Sequence, residues 1–316
     1  MLKNKFKTLF FGTSEFAAVN LEHLYQEFKV VGVICPPDRP SGRGKHISMC
    51  PVKNLALELN LPVYQSEKIS RDLELINYLK SLNPDIIAMV AYGQILKQNV
   101  LDLAPYGVIN VHGSLLPNYR GAAPINWPII NGDTITGIST MQTELGLDSG
   151  PVFLQESIEL DNNIQAPELS SKLAKMGGKL LVETLTLINE NKIKPYPQDE
   201  SKVTYAPLLN KEMAKLDLNK SSGQIHNLVR GLQPWPGSYI TFNNQRIKIL
   251  KTNLVKLPIR FNFTFKQIFN EGNKIYLGLN NNELIELVEV SPENRKPMAA
   301  NAWYNGLHQE IKIADI

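Results

Sequence analysis

Residues 107–127, "GVINVHGSLLPNYRGAAPINW", combine a strand-like apolar run with two polar residues. Because side chains alternate between the two faces of a strand, Asn110 and His112 leave this strand on the same face. Buried polar side chains usually satisfy each other or the backbone, so a structural Asn–His pair is one interpretation. The other interpretation is that both side chains project into a ligand site.

The chain around this segment alternates strand-like runs with amphipathic helical stretches. The strand-like runs lie at 7–12, 30–35, 62–65, 85–93, 108–113, 136–143 and 150–160, and the helical stretches lie at 15–26, 51–60, 70–82, 94–102 and 166–190. Strands connected through helices predict an α/β fold with a Rossmann-like, doubly wound and mostly parallel sheet. Ligands bind beyond the carboxyl ends of the strands in such sheets, and Asn110 and His112 close their strand at such an end.

The last third of the chain has a different pattern. Residues 189–207 are polar and contain prolines, which is typical of a linker. After a helical stretch at 220–231, short strand-like runs with Asn and Gly at the turns predict a small barrel or sandwich. We therefore predict a catalytic domain at 1–188, a linker at 189–207 and a second domain at 208–316.

Charge is distributed unevenly between these regions. Residues 208–316 hold 14 Lys and Arg against 9 Asp and Glu, a net charge of +5, whereas residues 1–207 hold 19 against 21, a net charge of −2. A basic second domain favours a polyanionic partner, although solvated surfaces also reach a surplus of this size.

The composition disfavours membrane and disulfide-rich classes. No run of about 18 apolar residues is present, so we expect no membrane span. The apolar start breaks at Gly12, which favours a first strand over a signal peptide. Cys35 and Cys50 have neither metal-ligand spacing nor a disulfide-rich context. We therefore expect a cytoplasmic protein without a metal site.

Two common types of enzyme site are not supported. The turn "FFGTSEFA" at 10–17 has one glycine where a dinucleotide fingerprint has three, and no acidic residue closes the second strand. We therefore expect a capped tight turn there. No serine or cysteine stands in a nucleophile elbow, so the sequence does not indicate a covalent acyl-enzyme.

A second segment, residues 140–152, adds a carboxylate to the amide and the imidazole. Asp148 lies in the glycine-rich "LGLDSG", and glycines allow close approach to another strand end. The three groups suit the transfer of a formyl or acyl group to an amine, because Asn110 and a protonated His112 could donate hydrogen bonds to the oxyanion. One such donor typically contributes about 3 kcal/mol. The residues alone leave open a structural Asn–His pair with an unrelated loop aspartate.

The loop at 36–49, "PPDRPSGRGKHISM", is basic and rich in Gly and Pro. Its cations are Arg39, Arg43 and Lys45. One interpretation is a mobile arm that grips phosphates, for which guanidinium groups are well suited. A solvated loop is the alternative.

The sequence closely resembles the methionyl-tRNA formyltransferases, a branch of the formyltetrahydrofolate-dependent formyltransferase family. The resemblance spans almost the whole chain and is carried by "FFGTSEFA", "PDRPSGRGK", "PVKNLALE", "VAYGQIL", "NVHGSLLPNYRGAAPI", "GLDSGPV", "PWPGSY" and "RKPMAANAWYNG". The Asn-x-His, Ser-Leu-Leu-Pro and Asp set marks the wider family. The basic loop, "RGAAPI" and "PWPG" favour the branch that acts on tRNA.

The resemblance implies a reaction and a site. The formyl donor would be 10-formyltetrahydrofolate as a co-substrate, without a metal, and the acceptor would be the α-amine of methionine on initiator tRNA. Asn110, His112 and Asp148 match the family's catalytic trio. The residues that match its folate-binding segment are Ser114, Leu115, Leu116 and Pro117.

The resemblance also implies how tRNA is bound. Arg39, Arg43 and Lys45 lie in the arm that enters the acceptor stem, and residues 208–316 match an OB-like barrel that contacts the tRNA backbone. Nothing in the sequence demands more than a monomer. Two alternatives stay open: a folate-dependent formyltransferase for an amino-sugar nucleotide or purine precursor, and an RNA-binding protein on an inactive α/β scaffold.

Overall fold

The computed structural model describes residues 6–41, 46–242, 244–255, 262–307 and 311–312. Its internal contacts divide the chain into two compact units. The first unit comprises Met1–Pro124, Thr136–Ile158 and Ser170–Ala206, and the second comprises Ile125–Ile135, Glu159–Leu169 and Pro207–Ile316.

The strands are β1 (Lys7–Gly12), β2 (Lys29–Cys35), β3 (Arg39–Ser41), β4 (His46–Ser48), β5 (Val63–Gln65), β6 (Ile86–Val90), β7 (Val108–His112), β8 (Arg120–Gly121), β9 (Ile135–Gln142), β10 (Val152–Glu159), β11 (Tyr205–Ala206), β12 (Ser238–Phe242), β13 (Gln245–Leu254), β14 (Gln267–Glu271), β15 (Lys274–Gly278), β16 (Leu284–Pro292), β17 (Met298–Ala299) and β18 (Ile311–Lys312). The helices are α1 (Glu15–Glu27), α2 (Pro51–Glu58), α3 (Leu73–Ser81), α4 (Gln98–Leu101), α5 (Asn126–Asn131), α6 (Ala166–Asn189), α7 (Ser222–Gly231) and α8 (Ala300–Asn305).

The first unit is built on a seven-stranded sheet in the order β10-β9-β7-β6-β1-β2-β5. The neighbours from β7 to β5 pair in parallel. β9 pairs antiparallel to β7, with Asn110 opposite Met141. Leu9, Phe10 and Phe11 of β1 are fully buried, as expected for a sheet covered on both faces. The predicted Rossmann-like, mostly parallel α/β sheet is confirmed.

The turn after β1 is a helix cap. The Ser14 side chain accepts a hydrogen bond from the Ala17 N–H at the start of α1, while the Thr13 hydroxyl donates to the Tyr92 carbonyl. An N-cap serine satisfies one of the free N–H groups of the first turn. The hydroxyls of "FFGTSEFA" are therefore used by the fold itself, in agreement with the tight turn that we predict.

Helix α6 packs closely against the site strand β7. A Cβ added at Gly177 would lie 2.9 Å from Cγ1 of Val111, which stands between Asn110 and His112. The Asn20 side chain of α1 donates to the Ala174 carbonyl of α6 and so ties the two helices together. Glycine at 177 therefore sets how closely the helix approaches the middle of β7.

The second unit contains a separate antiparallel sheet. Its strands run in the order β12-β13-β16-β15-β14-β18, and β17 pairs with β16. α7 and α8 cover its core, in which Ile225, Ile249, Leu277 and Trp303 are buried. This confirms an antiparallel β domain at the C-terminus. β14 has a weak sequence pattern, because its Asn270 and Glu271 are exposed and leave a short apolar run.

Two short segments from the range 1–188 belong to the second unit. The His226 ring donates from Nε2 to the Asn162 carbonyl, and Nη1 of Arg230 donates to the carbonyls of Asp161 and Ile164. Burial lowers the pKa of His226 below its usual value. The boundaries at 188 and 207 stay a prediction.

Replacing Gly177 by Ala should lower the free energy of unfolding of the first unit by about 1–3 kcal/mol, because the new methyl group overpacks a buried contact. Gly223→Ala in α7 is the control: it gains helix propensity of up to about 1 kcal/mol, and an added Cβ there meets no heavy atom within 4 Å. Urea unfolding of both variants measures the difference. A Gly177 variant as stable as the Gly223 variant would contradict this packing.

Candidate active site

The predicted Asn110 and His112 lie on β7, between β6 and β9. Both are buried, with exposed fractions of 8% and 5%. They do not form the structural pair that was one interpretation of the sequence. His112 bonds to the Tyr119 backbone, and no residue within the described ranges hydrogen-bonds to the Asn110 side chain. The Asn110 amide is therefore available to a ligand.

The hydrogen bond to Tyr119 fixes which nitrogen of His112 carries a hydrogen. Nε2 lies 2.9 Å from the Tyr119 carbonyl oxygen. Because a carbonyl can only accept, Nε2 must be the donor. Any proton that His112 gains or loses in this arrangement therefore moves at Nδ1.

Asp148 lies on the other side of the imidazole ring. Its Oδ2 is 3.7 Å from Nδ1 of His112, which is too long for a hydrogen bond but within the range of an ion pair. The same Oδ2 accepts a 2.8 Å hydrogen bond from the Gly121 N–H. The backbone thus holds the carboxylate facing the nitrogen that exchanges protons.

Gly121 is required by its conformation and its neighbours. Its φ is +123°, and a Cβ there would lie 2.8 Å from the Ala206 carbonyl oxygen. Ala206 belongs to β11, which pairs in parallel with β8. Residues 189–207, predicted as a linker, thus include a strand that pairs beside the site.

The loop that carries Asp148 runs from β9 to β10. Because β9 is antiparallel to β7, this loop begins beside the start of β7, where the Thr143 N–H donates to the Val108 carbonyl at 2.8 Å. A Cβ at Gly150 would lie within 2 Å of the Gln142 carbonyl oxygen. The glycine permits the closely packed return of the loop, as the "LGLDSG" pattern suggests.

The predicted folate segment is bonded to β9 and β10. Its members are Ser114, Leu115, Leu116 and Pro117, of which Ser114 and Leu116 are buried and the other two are half-buried. The Ser139 hydroxyl donates to the Ser114 carbonyl, and the Gln155 amide donates to the Leu116 carbonyl. Leu116 packs with Met141 and Val152. Residues of β9 and its neighbours therefore already bond to, or pack against, part of this segment's polar and apolar groups.

A cavity that the sequence did not indicate lies next to the Asp148 loop. Its volume is about 860 Å³, and it is lined by residues of 98–107 and 142–146. Leu145 and Leu147, in the same loop, are exposed apolar side chains. Residues 98–107 carry no motif that predicts a cavity. The cavity forms only where the loop folds against them, and this packing cannot be read from the sequence.

The basic loop is described only at its ends. Arg39 is exposed at the start of β3, whereas Arg43 and Lys45 lie outside the described residues. Within the loop, the Asp38 carboxylate accepts a hydrogen bond of 2.6 Å from Nζ of Lys53 in α2. The Lys53 ammonium, together with a hydrogen bond from Gln65, holds the pKa of the Asp38 carboxyl below its usual value.

Within the described part of the chain, no group of three or more His, Cys, Asp and Glu residues could hold a metal ion. None of the helices described there is both long enough and apolar enough to cross a membrane.

Comparisons with known proteins agree with this fold. Residues 5–185 match the family model "Formyl transferase", and residues 208–308 match "Formyl transferase, C-terminal domain". The chain is 43% identical over 302 residues to a methionyl-tRNA formyltransferase of Clostridioides difficile (strain 630), with 95% of this chain and 96% of that protein covered. It is 48% identical over 306 residues to a methionyl-tRNA formyltransferase of Clostridium perfringens (strain 13 / Type A), with 96% and 98% covered.

The fold also occurs in solved structures. A crystal structure of WlaRD, a sugar 3N-formyl transferase in the presence of dTDP and 5-N-formyl-THF, matches with a TM-score of 0.67 at 20% identity, covering 92% of this chain and 99% of that one. Similarity at this identity concerns the fold alone. The family models and the relatives at 43% and 48% identity show that the chain belongs to the formyl transferase family, in its methionyl-tRNA formyltransferase branch.

Proposed function

We propose that the protein transfers a formyl group from 10-formyltetrahydrofolate to the α-amine of methionyl initiator tRNA, giving N-formylmethionyl-tRNA for translation initiation. The observation that supports this most is the arrangement at β7: Nδ1 of His112 faces Asp148, and the Asn110 amide is free of described partners. These groups suit direct transfer through a tetrahedral intermediate.

The amine nitrogen attacks the formyl carbon, and the carbonyl oxygen becomes an oxyanion. The Asn110 amide and the Nδ1–H of protonated His112 donate hydrogen bonds to that oxygen. The bond between the formyl carbon and N10 of the folate then breaks. One proton leaves the attacking amine and one reaches N10, so the transfer is balanced without a covalent enzyme intermediate.

Asp148 has an electrostatic role in this scheme. Its carboxylate, held by the Gly121 N–H, lies 3.7 Å from Nδ1 and stabilises the imidazolium. It also accepts the proton of the attacking amine, directly or through water. A free α-amine titrates near pH 8, so its neutral fraction at pH 7 is roughly a tenth and no strong base is needed.

The folate binds against Ser114, Leu115, Leu116 and Pro117, which form the wall next to the reacting group. Their backbone is fixed by hydrogen bonds to β9 and β10, which makes a rigid support for a flat ring.

The tRNA binds through cations in both domains. Arg39, Arg43 and Lys45 contact the acceptor stem, and residues 208–316, with their net charge of +5, contact the backbone of the tRNA. The catalytic domain then comprises residues 1–188, and residues 189–207 form the linker. We propose a monomeric, cytoplasmic enzyme.

The purified protein should transfer labelled formyl from its folate donor to initiator methionyl-tRNA. His112→Ala should lower kcat on the order of 10²-fold or more, because the group that donates to the oxyanion is lost. Binding of the tRNA, measured by filter retention, should be unchanged. Formylation of an amino-sugar nucleotide in place of the tRNA would support the alternative acceptor. Loss of tRNA binding with retained turnover in His112→Ala would contradict the catalytic role of His112.

Asp148→Asn removes the charge with little effect on the backbone. Asp148 has a φ of +47°, a conformation that Asn tolerates and Ala does not, and an Asn oxygen can still accept from the Gly121 N–H. We expect kcat to fall on the order of 10²-fold, with a smaller loss of thermal stability than in Asp148→Ala. Asp148→Ala, as the comparison, should lose stability as well. An Asn variant with full kcat would refute an electrostatic role.

Replacing Arg43 and Lys45 together by Gln should weaken tRNA binding and leave the KM for folate unchanged. The slope of log K for tRNA binding against log salt concentration should become shallower by about two, because two phosphate contacts are lost. The double variant Arg71→Gln and Lys80→Gln, which removes one exposed arginine and one exposed lysine elsewhere on the chain, is the charge-matched control. Equal losses of tRNA and folate binding would contradict this division.

A further inference from the structure

Gln198 holds the loop that carries Asp148. Its side-chain Nε2 donates hydrogen bonds to two backbone carbonyls of this loop, that of Asp148 at 2.8 Å and that of Gly150 at 2.7 Å. Gln198 lies in the polar segment 189–207, where the sequence indicates only a linker. One amide group thus joins that segment to the backbone on both sides of Ser149.

Arg120 fixes the other end of the same amide. Its Nε and Nη2 donate to Oε1 of Gln198 at 3.0 and 2.9 Å, and its Nη1 and Nη2 donate to Glu200. Arg120 is buried, with an exposed fraction of 4%. Because a guanidinium can only donate and a carbonyl can only accept, these partners require Oε1 toward Arg120 and Nε2 toward the loop.

The loop needs such support because its backbone conformation is unfavourable. Asp148 has a φ of +47°, in the left-handed region that residues with a Cβ seldom adopt. Strained backbone of this kind persists where its surroundings hold it. The side chain of Arg120 holds the Asp148 backbone through Gln198, and the next residue, Gly121, holds the Asp148 carboxylate. Two adjacent residues, Arg120 and Gly121, thus fix the backbone and the carboxylate of Asp148.

We propose that Gln198 is a positioning residue of the transfer reaction, which keeps the Asp148 carboxylate at its place beside Nδ1 of His112. The inference rests on the proposed role of Asp148. Only an amide can fulfil this function, because the site needs one acceptor for Arg120 and two N–H donors for the loop. Gln198 contacts no reacting atom and acts through the loop.

Gln198→Glu tests this positioning role and keeps the shape of the side chain. The acceptor toward Arg120 stays, but a carboxylate oxygen now faces two carbonyl oxygens, so the loop is pushed away. We expect kcat to fall on the order of 10²-fold, with the KM values for folate and tRNA unchanged. Gln198→Met, which has a similar length and no donor, should reduce kcat in the same way and introduces no charge. Thermal melting verifies that both variants fold.

A double-mutant cycle separates positioning from a general loss of structure. In the Asp148→Asn background, Gln198→Glu should cost little more, because the carboxylate that it positions is already absent. Gln94→Glu is the matched control, because the Gln94 amide also joins two backbone groups. It donates to the Ser66 carbonyl and accepts from the Ile69 N–H. It does not contact the loop, and its effect on kcat should be small and the same in both backgrounds.

The outcomes distinguish the two hypotheses. If Asp148→Asn keeps full kcat, the proposed role of Asp148 fails. If Asp148→Asn is impaired but both Gln198 variants keep full kcat, the positioning role of Gln198 is overturned. It is also overturned if Gln198→Glu lowers kcat by the same factor in the Asp148→Asn background as in the unmutated protein. In both cases the proposed reaction stands.

Discussion

The hydrogen bond from the Gly121 N–H to the Asp148 carboxylate is the contact on which the candidate site depends. A hydrogen bond to a charged group contributes roughly 1.5–3 kcal/mol. Three residues with positive φ surround it: Tyr119, Gly121 and Asp148. Since unusual backbone conformations persist only where other contacts hold them, the site is set by the backbone as much as by its side chains.

The strand β11 explains how this backbone is held. Residues 204–206 run beside 119–123: the Arg120 N–H donates to the Thr204 carbonyl, and the N–H groups of Ala122 and Ala123 donate to the Ala206 carbonyl. The chain returns here after helix α6, so the last segment of the first unit also fixes the residues that bind Asp148. A change in residues 198–206 would therefore reach the site without touching a ligand.

The sequence predicts what depends on local pattern. Alternation places Asn110 and His112 on one face, and the spacing of apolar residues predicts β1, β7 and α6 to within a few residues. The direction of β9 could not be read in this way, because an antiparallel strand and a parallel strand have similar runs of apolar residues. The role of Gln198 was hidden for a related reason: a lone glutamine in a polar segment has no pattern, and its partners are about fifty and eighty positions away.

The tautomer of His112 gives the proposed reaction a direction. With Nε2–H committed to the Tyr119 carbonyl, the ring can serve a ligand only through Nδ1, which is the side that Asp148 faces. The formyl oxygen and the attacking amine must therefore both approach from that side, since the carboxylate and the imidazole act on the same transfer. The 3.7 Å gap between Nδ1 and Oδ2 leaves neither atom tied to the other. Each is free to interact with a different atom of one tetrahedral intermediate, and this is why a carboxylate held by Gly121, rather than by the histidine, suits the chemistry.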